Sequence, residues 1–297
     1  YVMEGMARIP VEVDMASEFR YRDPIIEEGT LVVIISQSGE TADTLAAMRM
    51  AKDKGLATLA VVNVIGSSIA READKVFYTL AGPEIAVATT KAYSTQLICM
   101  YILSMYAAQV RGEIEESTLN SMLKEIVLLP EKVASILADK ERIQWFANKF
   151  ASAHDVFFIG RGLDYAICQE GSLKMKEVSY VHSEAYAAGE LKHGTISLIE
   201  DGTLVIGVLT QSHLCEKTLS NMQEVKSRGA YLMGVAENGS YYLEDMVDFV
   251  VYVPKTDPHF TTTLAIIPLQ LMGYYVSVAR GLDVDKPRNL AKSVTVE

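Results

Sequence analysis

Cysteine is scarce: the chain has three, Cys99, Cys168 and Cys215, widely separated in apolar helical or loop contexts. Such spacing gives neither a disulfide framework nor a metal-ligand pattern, and a reducing, cytoplasmic location is expected. Histidine is thin as well. His154, His182, His193, His213 and His259 form no ligand cluster, so no metal is expected, and no cofactor either. Positive charge is short, with 27 Lys and Arg against 38 Asp and Glu and a net charge of −11. That balance argues against nucleic acid or an anionic membrane as the main partner, and an anionic ligand must be held by local donors. The longest apolar run, Leu97 to Ala108, falls short of the roughly 20 residues that cross a bilayer and reads as a core helix.

What is present is organised around residues 31–63. An apolar, β-branched run from Leu31 to Ile35 predicts a strand buried on both faces. Then come Ser36-Gln37-Ser38-Gly39-Glu40-Thr41, a helix with apolar positions at Leu45 and Met48 that ends at Gly55, and a second strand from Leu59 to Val62. A β-loop-α-β unit places its loop at the carboxyl edge of a parallel sheet and at a helix N-terminus. Free N–H groups and the helix dipole attract an anion there. The loop has neither the Gly-Lys-Ser/Thr of a P-loop nor a three-glycine dinucleotide fingerprint, which favours a phosphate monoester over a nucleotide. An N-capped βα turn with no ligand explains these residues equally well.

With 297 residues, 49% of them hydrophobic, the chain predicts two lobes. An internal repeat supports them: residues 204–237 align on the central unit without a gap at a constant offset of 174, the difference between Gln211 and Gln37. Met48 then meets Met222, Lys52 meets Lys226 and Gly55 meets Gly229, while Gly39, Glu40 and Thr41 are replaced by His213, Leu214 and Cys215. The second copy loses the tight turn and the hydroxyl, so the anion loop is expected in the first lobe alone. The boundaries expected are a first domain over 1–111, a charged helical connector over 112–142 interrupted at Pro130, a second domain over 143–284 and a tail over 285–297. Further expected elements include a short strand at Val11 to Val13 and helices over 67–73, 92–110 and 165–180.

The stretches SQSGET, EIAVATTKAYSTQL, LKMKEVSYVHSEAYAAGELKHG and DVDKPRNLAKSVTVE resemble the isomerase half of the glutamine–fructose-6-phosphate aminotransferases, from about residue 7 to residue 297. The resemblance implies an α/β fold of two tandem sugar-isomerase (SIS) domains. Each is a parallel sheet flanked by helices, a flavodoxin-like three-layer sandwich, and a tail packs over the active site. It also implies a glutaminase domain in the full-length protein and a first isomerase strand ending in Gly-Thr-Ser, neither of which appears in these residues. Thr89 stands where relatives often have serine, which keeps the hydroxyl.

Ketose–aldose isomerisation needs a base that moves a proton between C1 and C2, a group that opens the sugar ring, and support for an enediol-like intermediate. Glu177 suits the first role. Lys174, three residues earlier on one helix face, could steady developing negative charge, although a solvated i,i+3 ion pair is the commoner reading of such a pair. Histidine as a residue type suits ring opening. The resemblance assigns that step to His193, supplied by the neighbouring subunit of a homodimer, and gives Lys292 a Schiff base with the open-chain ketone. By the same resemblance Ser36, Gln37, Ser38, Thr41, Val87, Thr89 and Ala291 bind the phosphate or sugar of fructose 6-phosphate. Two alternatives remain: a stand-alone sugar-phosphate isomerase or deaminase, and a sugar-phosphate sensor that binds without turnover.

Overall fold

A computed structural model describes residues 1–294, which form two compact units, one of residues 2–114 with the tail from Asn289 and one of residues 115–288. Thr295, Val296 and Glu297, the end of the tail, lie outside the described residues.

In the first unit α1 (Val2–Ala7) lies against the long α5 (Lys91–Arg111), and α2 (Ala16–Phe19) lies against α3 (Ala42–Asp53). Strands β1 (Leu31–Ser36), β2 (Ala57–Val62) and β3 (Lys75–Tyr78) form a parallel sheet in that order, with α4 (Ser68–Glu72) between the last two. Ile34, Met48, Ala60, Val62 and Ile69 pack together, so the periodicity of the central unit is the seam of its core. Helix α3 ends in a Schellman-type pair: Gly55 N–H donates to Lys52 O, Leu56 N–H to Ala51 O, and Gly55 has φ of +77°. Two expectations fail. No strand forms at Val11 to Val13, where Val13 is 91% exposed with no neighbour to pair. β1 is not buried on both faces, because it is an edge strand with Leu31 and Ile35 about half exposed.

In the second unit α6 (Glu116–Ala138) and α7 (Lys140–Lys149) precede a five-stranded parallel sheet of order β5-β4-β6-β7-β8. Its strands are β4 (Asp155–Gly160), β5 (His182–Ala187), β6 (Leu204–Leu209), β7 (Tyr231–Glu237) and β8 (Phe249–Val253). Helices α8 (Leu163–Ser179), α9 (Cys215–Lys226) and α10 (Thr261–Ala279) complete it. The chain leaves β4 outward to β5 and returns past it to β6, so the strand order reverses between β4 and β6.

Helix α6, expected to break at Pro130, runs through it. Pro130 is exposed, and on that side water can satisfy the carbonyl that loses its partner. Helix α10 is long and apolar enough to cross a membrane by composition, yet it is mostly buried inside the unit against α8 and α7. Gly171 allows the α8–α10 approach, since a Cβ there would sit 2.7 Å from the Leu269 side chain. The repeat is real but not superimposable residue for residue. Ser36 pairs with Val62, whereas Leu209, not Thr210, pairs with Ala236, a slip of one residue along the neighbouring strand. Thr210 therefore lies just beyond its strand.

Candidate active site

The loop after β1 is a shaped cradle. Ser36, the last strand residue, is buried; its Oγ accepts from Gly39 N–H at 3.0 Å and lies 3.5 Å from Thr41 Oγ1. Thr41 occupies the N-cap position of α3 but makes no side-chain cap bond, so its hydroxyl faces the loop instead. That departs from the ligand-free capping turn, in which the hydroxyl would be spent on the helix. Gly39 has φ of +68°, and a Cβ would fall 2.1 Å from Ser67 Oγ, so only glycine fits. The loop is held from behind: Gly39 O accepts from Ile69 N–H, Gln37 O from Asn63 N–H, and the Glu40 carboxylate from Ser68 N–H at 2.8 Å. This last bond keeps the Glu40 carboxyl below its ordinary range.

The tail returns to this cradle. Ser38 Oγ lies 3.2 Å from Ser293 Oγ, and Ala42 N–H at the start of α3 donates to Val294 O at 3.3 Å. Lys292 Nζ donates to Ala86 O, in the loop before α5. In the same loop Thr89 Oγ1 donates to Glu84, Val87 is half-buried, and Ala291 in the tail is exposed. Thus Ser36, Ser38, Thr41 and Lys292 share one region of the first unit, with Gln37 contributing its backbone.

In the second unit α8 presents Glu170, Lys174 and Glu177 along one face, four and then three residues apart. Lys174 is 5% exposed, its ammonium bonded to the Glu177 carboxylate and 3.6 Å from Glu170. A buried lysine between two carboxylates is not a solvated surface pair. Glu170 was missed in the sequence, although its four-residue spacing to Lys174 was the available signal. Burial pushes its carboxyl up to about 7; Lys174 pulls it down and Glu177 pushes it further up. The face therefore holds two carboxyl groups and a cation, and the Glu170 carboxyl lies near its own midpoint at neutral pH. His193 is exposed in a 3-10 turn (Leu191–His193), and among the described residues no hydrogen bond or ion pair joins it to Glu177 or Lys174. Among the described residues no group of three or more His, Cys, Asp or Glu could hold a metal ion.

The raised Glu170 value carries a prediction for stability. Between about pH 4.5, the ordinary carboxylate value, and about 7, the folded chain holds a proton on Glu170 that the unfolded chain has released. The stability this contributes is complete below the lower value and is lost as pH rises through the upper one. Glu170→Gln, which cannot ionise, should melt progressively higher than the parent as pH rises from 5 to 8, by on the order of a few kcal/mol at most. Parallel melting curves for the two proteins across that range would refute the assignment.

The SIS domain profile matches residues 1–106 and 149–280, most of both units. The chain belongs to the SIS domain family. It is 57% identical over its whole length to glutamine–fructose-6-phosphate aminotransferase (isomerizing) of Caldanaerobacter subterraneus subsp. tengcongensis, and 58% to that of Clostridium tetani. In each case this SIS chain spans about half the relative's length, 49%. Among solved structures, the C-terminal domain of glucosamine-fructose-6-phosphate aminotransferase from Francisella tularensis matches at a TM-score of 0.91 and 37% identity, covering 96% of this chain and 81% of that one. A glucosamine-6-phosphate deaminase from Thermotoga maritima matches at 0.78 and 25% identity, covering 99% and 84%. The α/β architecture of two parallel sheets flanked by helices is that of SIS domains.

Proposed function

We propose that this SIS chain is the isomerase half of a glutamine–fructose-6-phosphate aminotransferase, converting fructose 6-phosphate to glucosamine 6-phosphate with ammonia from a glutaminase domain of the full-length protein. The observation that carries the reading is the buried Lys174 between Glu177 and Glu170, an arrangement a sensor that only binds has no use for. The phosphate sits on the hydroxyls of Ser36, Ser38 and Thr41 at the α3 N-terminus, where their spacing and the helix dipole favour an anion. Val87, Thr89 and Ala291 contact the sugar. The Lys292 amine attacks the C2 carbonyl of the open ketose, forming an imine and releasing water; ammonia then adds to that imine and expels the lysine amine, leaving the C2 imine of the sugar on which the proton transfer acts. Glu177 takes the proton from C1 and delivers it to C2, while Lys174 balances the negative charge that develops between the two transfers. His193 opens the ring from the neighbouring subunit of a homodimer, a role its exposure on the surface of this chain permits. A reducing cytoplasm suits the three buried, unpaired cysteines.

The test is to incubate the chain with fructose 6-phosphate in deuterated water and follow the products by NMR. Slow formation of glucose 6-phosphate carrying deuterium is expected, and glucosamine 6-phosphate when ammonia is supplied. A chain that binds the sugar phosphate without exchanging any proton would be a sensor.

A further inference from the structure

The second unit also has a βα loop at its sheet's carboxyl edge, Thr210 to Leu214 between β6 and α9, and something already fills it. The Asp164 carboxylate, 1% exposed, accepts from Thr210 N–H at 2.9 Å, Gln211 N–H at 3.1 Å and Thr210 Oγ1 at 2.5 Å. Two consecutive backbone amides on one oxygen and a hydroxyl on the other are what such a loop offers a bound anion. The rest of the loop is closed by its own groups. Gln211 Nε2 donates to Pro258 O and Thr261 Oγ1, and Cys215 Sγ to Leu209 O and Gln211 O. In the first unit the described partners of the Ser36 and Ser38 hydroxyls are backbone amides and other hydroxyls, with no carboxylate among them.

We propose that Asp164 takes the place of a phosphate in the second unit, closing that loop to substrate and pinning the catalytic helix. Resting on the isomerase reading, this deepens it by explaining why a two-domain repeat binds one sugar phosphate. A phosphate brought to Thr210 and Gln211 would have to displace a buried carboxylate of its own sign from three donors. The second consequence is mechanical. Asp164 lies in the first turn of α8, six residues before Glu170, on the helix that carries Lys174 and Glu177. Its bonds tie the start of that helix to the end of β6. The fit is tight: a Cβ at Gly160, the last residue of β4, would come within 2.6 Å of the Asp164 backbone. Asp164 is a positioning residue, fixing from one end the helix whose face does the proton transfer.

The experiment uses Asp164→Ala and Asp164→Asn in the full chain, with formate and inorganic phosphate as probes and chloride as the ionic-strength control. Asp164→Ala should melt below the parent and recover with formate or phosphate but not with chloride, because the vacated amides accept an external anion. Asp164→Asn, isosteric and uncharged, should not respond to anions. Its kcat should fall roughly tenfold while KM for fructose 6-phosphate stays within about twofold, as expected when the catalytic helix loosens and the phosphate cradle is untouched. Anion-dependent refolding of an Asp164→Ala protein that does not fold unaided would support the proposal equally. An Asp164→Ala protein that melts like the parent, or whose stability or refolding ignores formate and phosphate, would overturn it. Because melting does not depend on turnover, a parent without isomerase activity would sink the functional reading and leave this one standing to be judged on anion rescue.

Discussion

Replacing Glu177 by Gln will lower the rate of fructose 6-phosphate isomerisation by roughly a hundredfold or more, with sugar binding changed only a few-fold. The amide keeps the size of the side chain but cannot take a proton, so the loss falls on the step between C1 and C2. The variant should still fold. Lys174 is the deeply buried member of the pair, with 7% of its side chain exposed against 22% for Glu177, and it keeps Glu170 at 3.6 Å as a counter-charge. Removing Lys174 instead would leave two carboxylates facing each other without their cation, a far larger disturbance. Steady-state kinetics with the isomerisation of fructose 6-phosphate as readout decides the matter. A Glu177→Gln enzyme running at the parent rate would mean the base lies elsewhere.

Lys292→Ala should abolish the adduct that borohydride traps between the protein and fructose 6-phosphate, and with it at least about a hundredfold of turnover. The tail should remain docked, because Ser293 on Ser38 and Val294 on Ala42 hold it through atoms the substitution does not touch. The loss would then be one of chemistry and not of position. Lys292→Arg separates the two further, since it keeps the cation and removes the nucleophile. The measurement is an intact mass after reduction. An adduct that persists in Lys292→Ala, on Lys91 or any other amine, would remove Lys292 from the mechanism.

Glu177 was conspicuous in the sequence because it belongs to a local pattern, whereas Lys292 entered only through the family resemblance. The loop Ser36–Thr41 was legible because a β-branched run, a hydroxyl-rich turn and a helical period follow one another within one unit of chain, and each period is a property of neighbouring residues. The spacing of Lys174 and Glu177 placed them on one helix face for the same reason. The repeat at an offset of 174 by itself implies two parallel-sheet domains, although the strand register differs between the copies by one residue. Composition argued against nucleic acid as the main partner, since charge is additive along the chain and needs no fold to be counted.

What the sequence left open was decided by contacts between residues far apart in the chain. Ser38 meets Ser293 across 255 positions and Lys292 meets Ala86 across 206, and no local period encodes either pairing. Tertiary packing turned the Lys174–Glu177 pair from an ordinary surface salt bridge into a buried cation shared with Glu170, whose carboxyl rises to about 7 because the surrounding core withdraws water from it. The same folding freed the Thr41 hydroxyl from capping and left β1 at a sheet edge. It also brought Asp164 to the loop after β6, 46 residues away, where three donors meet one carboxylate. Sequence by itself determined most of the elements and singled out candidate residues among them; burial and long-range hydrogen bonding, which exist only once the chain has closed on itself, decided their surroundings and their partners.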